Sequence, residues 1–171
     1  MPTFTQIGTA QVAGSGGAAT LSFTSIPSTY TDLVLKTSLR GTGSLIYDTL
    51  KLTFNGSATG YSTRYLQGSG SAASSGTSGS ATYIELIDEG ATATASTFSN
   101  GEIYIPNYAG STNKSVSSDA VAETNATTIY MRLSAGLWSN SAAITSITLT
   151  PDASAAWAQY STAYLYGVSN A

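Results

Sequence analysis

The side chains best suited to reaction chemistry here are the carboxylates Glu85, Asp88, Glu89, Glu102, Asp119 and Glu123 and the lysines Lys36, Lys51 and Lys114. The chain has no histidine and no cysteine. That removes the commonest general base, the thiolate nucleophile and the usual ligands of zinc. Two carboxylates suffice for glycoside hydrolysis, but only at a defined separation in space. In the sequence they look scattered: Asp88-Glu89-Gly90 reads as a turn, Glu102 lies on the polar side of a strand, and Asp119 and Glu123 border another turn. A serine–lysine pair is formally available, yet each of the three lysines reads as a solvated strand position. No calcium loop of the Asp-x-Asp-x-Asp-Gly kind is present. Gly14-Ser15-Gly16-Gly17 lacks the Lys-Ser/Thr and the helix of a phosphate loop and reads as a hairpin turn. The Asn-x-Ser/Thr triplets at Asn55, Asn113 and Asn125 matter only in a secretory pathway. The expectation is a non-enzymatic protein with no catalytic residue, cofactor or metal.

What remains for recognition is aromatic and small polar surface. Charged residues are only 9% of the 171 residues, against roughly 25% in an average domain. Low charge suits a surface that meets other subunits, because ions are depleted from interface cores; it also suits contact with carbohydrate. Six basic residues against nine acidic ones, with no basic cluster, argue against nucleic acid as a partner. No apolar run approaches the ~20 residues of a membrane span, and Met1-Pro2-Thr3-Phe4-Thr5 does not resemble a signal peptide. There are 11 tyrosines, and tyrosine combines apolar area with a polar tip. Tyr104, Tyr108, Tyr160, Tyr164 and Tyr166 are the aromatic candidates for an interface. Gly70, Ser74 and Gly76 join them from the Gly/Ser-rich stretch 68–81, which reads as a surface loop that a neighbouring subunit would hold.

These groups must be positioned by strands. Leu33, Leu35 and Leu39 alternate with Lys36, Ser38 and Arg40; Leu50, Leu52 and Phe54 repeat the pattern and run into the turn pair Asn55-Gly56. Ile103 and Ile105 precede Pro106, Ile147 and Leu149 precede Pro151, and residues 160–168 alternate at the C-terminal end. Ile129, Met131, Leu133, Ala135 and Leu137 form a further set, expected to face the core, with Tyr130 and Arg132 opposite. Weaker strand signals lie at 4–12, 18–25, 61–67, 82–87 and 113–121. Helical periodicity is absent apart from one possible turn at 153–157. About ten short strands with Gly, Ser, Asn and Pro turns specify one all-β domain over 1–171, an antiparallel β-sandwich. A jelly roll is preferred, although an immunoglobulin-like sandwich fits the same pattern.

Several stretches resemble a family of small structural proteins from tailed phages of cyanobacteria and marine bacteria. They are 23–34 (FTSIPSTYTDLV), Leu52-Thr53-Phe54-Asn55-Gly56, Ile103-Tyr104-Ile105-Pro106-Asn107-Tyr108, 143–149 (AITSITL) and Tyr164-Leu165-Tyr166-Gly167. These are strand cores and turns and carry no catalytic residue. The resemblance implies a jelly-roll-like virion protein assembled in the host cytoplasm. A capsid decoration (cement) protein is expected, an oligomer, with a trimer favoured, bound to the major capsid protein or another virion protein. The alternative is a tail-fibre or baseplate receptor-binding module that recognises host surface polysaccharide.

Overall fold

β-Branched and aromatic residues alternating with Ser, Thr and Gly leave little but extended chain available, and the computed structural model realises it as twelve strands and no helix among the residues it describes, 1–78, 82–125, 129–152 and 155–169. They are β1 (Thr3–Gln11), β2 (Leu21–Phe23), β3 (Asp32–Leu39), β4 (Tyr47–Phe54), β5 (Tyr61–Gly68) and β6 (Ala73–Ser78), then β7 (Ile84–Glu89), β8 (Ser99–Ile105), β9 (Lys114–Ala122), β10 (Tyr130–Trp138), β11 (Ile147–Thr150) and β12 (Thr162–Ser169). All named pairs are antiparallel. An eight-stranded sheet of order β1-β12-β3-β8-β9-β10-β5-β6 packs on a four-stranded sheet of order β2-β11-β4-β7. Setting aside the β9–β10 hairpin and the flanking β1 and β12 leaves β3-β8-β5-β6 facing β2-β11-β4-β7. Successive strands then wind back and forth between the sheets as in a jelly roll. The hairpin is an insertion that widens the large sheet between β8 and β5.

The core lies between the sheets. Leu33, Leu35 and Leu39 of β3 and Ile103 and Ile105 of β8 meet Leu52 and Phe54 of β4, Ile84 and Leu86 of β7, and Ile147 and Leu149 of β11, all buried. Phe54, Tyr61 and Trp138 form its aromatic centre: ring centroids are 5.6 Å apart for Phe54–Trp138 and 6.0 Å for the stacked Tyr61–Trp138 pair. Tyr61 lies inside because its hydroxyl is satisfied there, accepting the Phe54 N–H at 2.9 Å.

Several expectations are corrected. On β10 the apolar set faces out: Met131 and Leu133 are more than half exposed and Leu137 is partly exposed, while Arg132, Ser134 and Trp138 are buried. Ile129, just before the strand, is half-buried. A strand's two faces differ by one residue of register, and here the larger prize is the Trp138 indole in the core. Gly136 belongs to the same inward set, since a Cβ there would lie 2.7 Å from Ile84 Cγ2.

The Gly/Ser stretch is not a loop over most of its length. A turn at 69–72, with Gly70 at φ 83° and Ser69 N–H bonded to Ala72 O at 2.9 Å, leads into β6, which pairs with β5 from Thr63↔Ser78 to Gly68↔Ala73. Residues 79–81, the rest of that stretch, lie outside the described residues. Gly76 is what lets β6 sit there: the Tyr65 ring covers it, and a Cβ would meet the Tyr65 hydroxyl oxygen at 2.4 Å. Tyr65 in turn stacks on the Arg132 guanidinium, 3.6 Å from ring centroid to Cζ, and Arg132 reaches Glu85 at 3.2 Å. Asp88 and Glu89 end β7 instead of forming a turn, and both are fully buried; Asp119 lies within β9. Lys114 is also buried, its ammonium held by the carbonyls of Gly110 (2.7 Å) and Thr112. In 153–157, residues 153–154 lie outside the described residues, and Trp157 bridges Ala18 and Gly41 as extended chain.

Two stability outcomes follow from this packing. Phe54→Ala should cost about 3–5 kcal/mol in urea denaturation, since it empties the aromatic centre. Gly76→Ala should cost about 1–3 kcal/mol by forcing Tyr65 off Arg132, whereas Ser74→Ala, on the same strand but exposed, should change stability by less than about 0.5 kcal/mol.

Candidate functional site

The outer face of the large sheet is where exposed side chains converge. Cross-strand register places them in rows. One row runs Tyr164–Lys36–Glu102–Asp119–Leu133–Leu66 across β12, β3, β8, β9, β10 and β5. A second runs Tyr166–Val34–Tyr104–Ser117–Ala135–Arg64 over the same strands. A third brings Val121 opposite Met131 and Met131 opposite Gly68. Leu66, Met131 and Leu133 are each more than half exposed, and Val121, Leu137, Tyr104 and Tyr164 are partly exposed. The surface is shallowly hollowed here. One depression of about 440 Å³ lies among Leu66, Tyr104, Glu102, Asp119 and Leu133. A second of about 380 Å³, lined by Val121, Met131 and Gly68, shares Leu66, Asp119 and Leu133 with it.

Polar groups on this face are largely engaged with one another. Lys36 and Glu102 form an ion pair across the β3–β8 ladder. The Tyr104 hydroxyl donates to Asp32 Oδ2 at 3.0 Å, and Asp32 Oδ1 accepts the Asn107 N–H at 2.9 Å, which anchors the ring from below. Burial, then the bond to Asp32, pushes the Tyr104 phenol above its ordinary value, so it remains a neutral donor at physiological pH.

The expected interface residues separate into distinct places. Tyr104, Tyr164 and Tyr166 come together on the outer face, toward its β12 side. Gly70, Ser74 and Gly76 belong to the β5–β6 hairpin at the opposite edge, with Ser74 exposed and Gly76 covered by Tyr65. Tyr160 is exposed in the turn before β12, at φ 73°. Tyr108 leaves the set altogether: it is fully buried, its hydroxyl donating to the Pro27 carbonyl. Pro106 and the turn after β8 carry it inward beneath the sheet, where its ring fills core volume. Leu66, Val121, Met131 and Leu133 were not among the expected surface residues. Their signal in the sequence was the second face of β10, where Arg132, Gly136 and Trp138 share a phase and Trp138 competes for the interior.

The carboxylates gather differently from the scattered pattern as well. Glu102 and Asp119 are direct cross-strand neighbours on the outer face. Glu102 is ion-paired to Lys36, whereas a general acid needs a proton to give. Glu85 is committed to Arg132. Asp48 and Asp88 face each other across the β4–β7 ladder in the interior. Burial, then Asp48, then Glu89, push the Asp88 carboxyl well above the carboxylate range. Among the described residues, no three His, Cys, Asp or Glu side chains form a metal-holding group. No protein-family model, curated protein or solved structure matches the chain.

Asp32 supports the tyrosine side of this face, which gives a direct check. Asp32→Ala should lower stability by about 1–3 kcal/mol, because it strands the Asn107 N–H and frees Tyr104. Chemical denaturation would measure it, and Tyr104→Phe should cost less, since the Asn107 bond to Asp32 survives.

Proposed function

We propose that the chain is a non-enzymatic virion structural protein, a capsid decoration protein that docks on the outer shell through the outer face of its large sheet. The observation that carries this reading is the contiguous apolar surface made by Leu66, Val121, Met131 and Leu133 on three adjacent strands. Monomeric proteins scatter exposed apolar side chains singly; a contiguous set rimmed by polar groups fits a protein partner. The rim suits docking too, because Lys36 and Glu102 already neutralise each other and Arg64 has Thr63 O at 3.1 Å. Asp119, opposite Leu133, and Arg64 stay charged on this face, so a docking partner must supply complementary groups for them. The resemblance of its strand cores to tailed-phage structural proteins directs the reading to a virion, and the low charge fits a protein that assembles there as an oligomer, with a trimer the favoured state. Function then follows from linkage: a protein that binds only the assembled shell stabilises that shell.

A second reading rests on the other half of the same face. Tyr104, Tyr164 and Tyr166 lie beside Lys36 and Glu102, an arrangement of aromatic area and hydrogen-bonding groups suited to a host polysaccharide.

Leu133→Asp separates the two readings. The side chain is exposed, so the variant should still fold, although the new carboxylate faces Asp119 across the ladder and should lower the unfolding temperature by a few degrees. Added to undecorated capsids, it should show at least about tenfold lower occupancy than wild type, reflecting an unpaired charge in a desolvated interface. Wild-type occupancy by Leu133→Asp, together with polysaccharide binding that is lost in Tyr104→Ala and Tyr164→Ala, would favour the receptor-binding module instead.

A further inference from the structure

We infer that Asp48 and Asp88 hold a divalent cation of the hard, oxygen-preferring class, with Ca²⁺ the ion that fits, between the end of the β4–β7 ladder and the backbone at 41–43. The two residues are directly opposite one another in the ladder, each in phase with the core-facing residues of its strand, Leu50 and Leu52 for β4 and Ile84 and Leu86 for β7. Asp88 is 0% exposed, and among the described residues no other residue gives either of its carboxylate oxygens a hydrogen bond. Asp48 is 5% exposed, and its Oδ1 accepts only the adjacent Thr49 N–H. Two dehydrated carboxylates side by side, one with no partner from another described residue, are costly in a protein interior.

The nearby cations are committed elsewhere. The Arg40 guanidinium spends its donors on the carbonyls of Ala91, Ala93, Thr94 and Thr97. Lys51 is paired with Asp152 at 2.8 Å. No basic side chain therefore reaches Asp88 to neutralise it.

The surroundings are cut to the shape of the pair. A Cβ on Gly43 would lie 1.8 Å from Asp48 Oδ2, and one on Gly41 would lie 3.0 Å from Asp88 Oδ2. Glycine at both positions lets main chain close over the carboxylates, and water would supply the remaining oxygens of a calcium shell. Ligand chemistry settles the metal class. The chain has no histidine or cysteine, so every donor is oxygen, which disfavours zinc and copper. Two carboxylates in flexible, irregular oxygen geometry suit calcium better than magnesium, which demands a near-ideal octahedron. The inference is independent of what docks on the outer face.

The test uses the full chain, stripped with EDTA and dialysed. Titration with CaCl₂, followed by native mass spectrometry and thermal unfolding, should show a bound calcium and an unfolding temperature raised by several degrees. Asp88→Asn should lose both responses. Its metal-free form should unfold at or above the metal-free wild type, because the amide removes a buried charge. Should that variant fail to fold, Asp48→Asn carries the same expectation, and the wild-type titration decides by itself. Absence of calcium binding by the wild type would overturn the site and leave Asp88 as a buried neutral acid. Calcium binding retained in Asp88→Asn would overturn the assignment of the ligands, and preferential binding of magnesium would overturn the choice of ion.

Discussion

The stack of Trp138 against Tyr61, with Phe54 beside it, sets the orientation of everything around it. Trp138 is 1% exposed and is the last residue of β10, so seating its indole fixes which way each preceding residue of that strand points. Gly136 comes in over Ile84, Ser134 and Arg132 follow, and Leu137, Leu133 and Met131 are turned outward. Pairing then transmits the choice to β9 and β5 on either side, because antiparallel partners directly opposite share a face. The exposed apolar surface is thus a consequence of core packing on the opposite face.

That orientation makes the interior beneath β10 and β5 unusually polar. Arg132 is buried there, which is tolerable because the guanidinium lies flat on Tyr65 and bonds Glu85. Arginine suits such a place, since its planar group stacks and is weakly hydrated. The stack extends to Gly76 and ties the Gly/Ser strand β6 to the sheet, so a strand of low intrinsic preference is held by the ring of its ladder partner Tyr65, itself stacked on Arg132 of β10. A Gly/Ser edge strand of this kind stays in place through its ladder and one aromatic cover.

The architecture divides the molecule by task. The jelly-roll part supplies a well-filled apolar core, and the inserted β9–β10 hairpin carries Val121, Met131, Leu133 and Leu137 to the surface. An insertion into a closed winding can add a binding face without disturbing the core pairings, because its strands enter the sheet between β8 and β5 and contribute only their inward side to the interior. Carboxylates follow the same division: Glu102 and Asp119 on the outer face, Asp48 and Asp88 near the far end of the small sheet.

Local pattern alone determined the class of the protein. Period-two alternation in β3, β4, β8 and β11 placed Leu35, Phe54, Ile103 and Ile147 in the core, and the absence of histidine and cysteine removed most catalytic chemistry before any coordinates were needed. Where both faces of a strand carry bulk, as in β10, alternation identifies two faces without saying which is inside; the fit of Trp138 among Phe54 and Tyr61 made that choice. Where neither face carries bulk, as in β6, alternation has nothing to read, and Tyr65 over Gly76 supplied the contact. Tyr104 and Tyr108 look alike in sequence, yet one lies in a strand and points out while the other follows Pro106 into the core. Asp48 and Asp88, forty residues apart, meet only because β4 and β7 are ladder partners. Such pairings depend on long-range packing, which a sequence window a few residues wide does not contain.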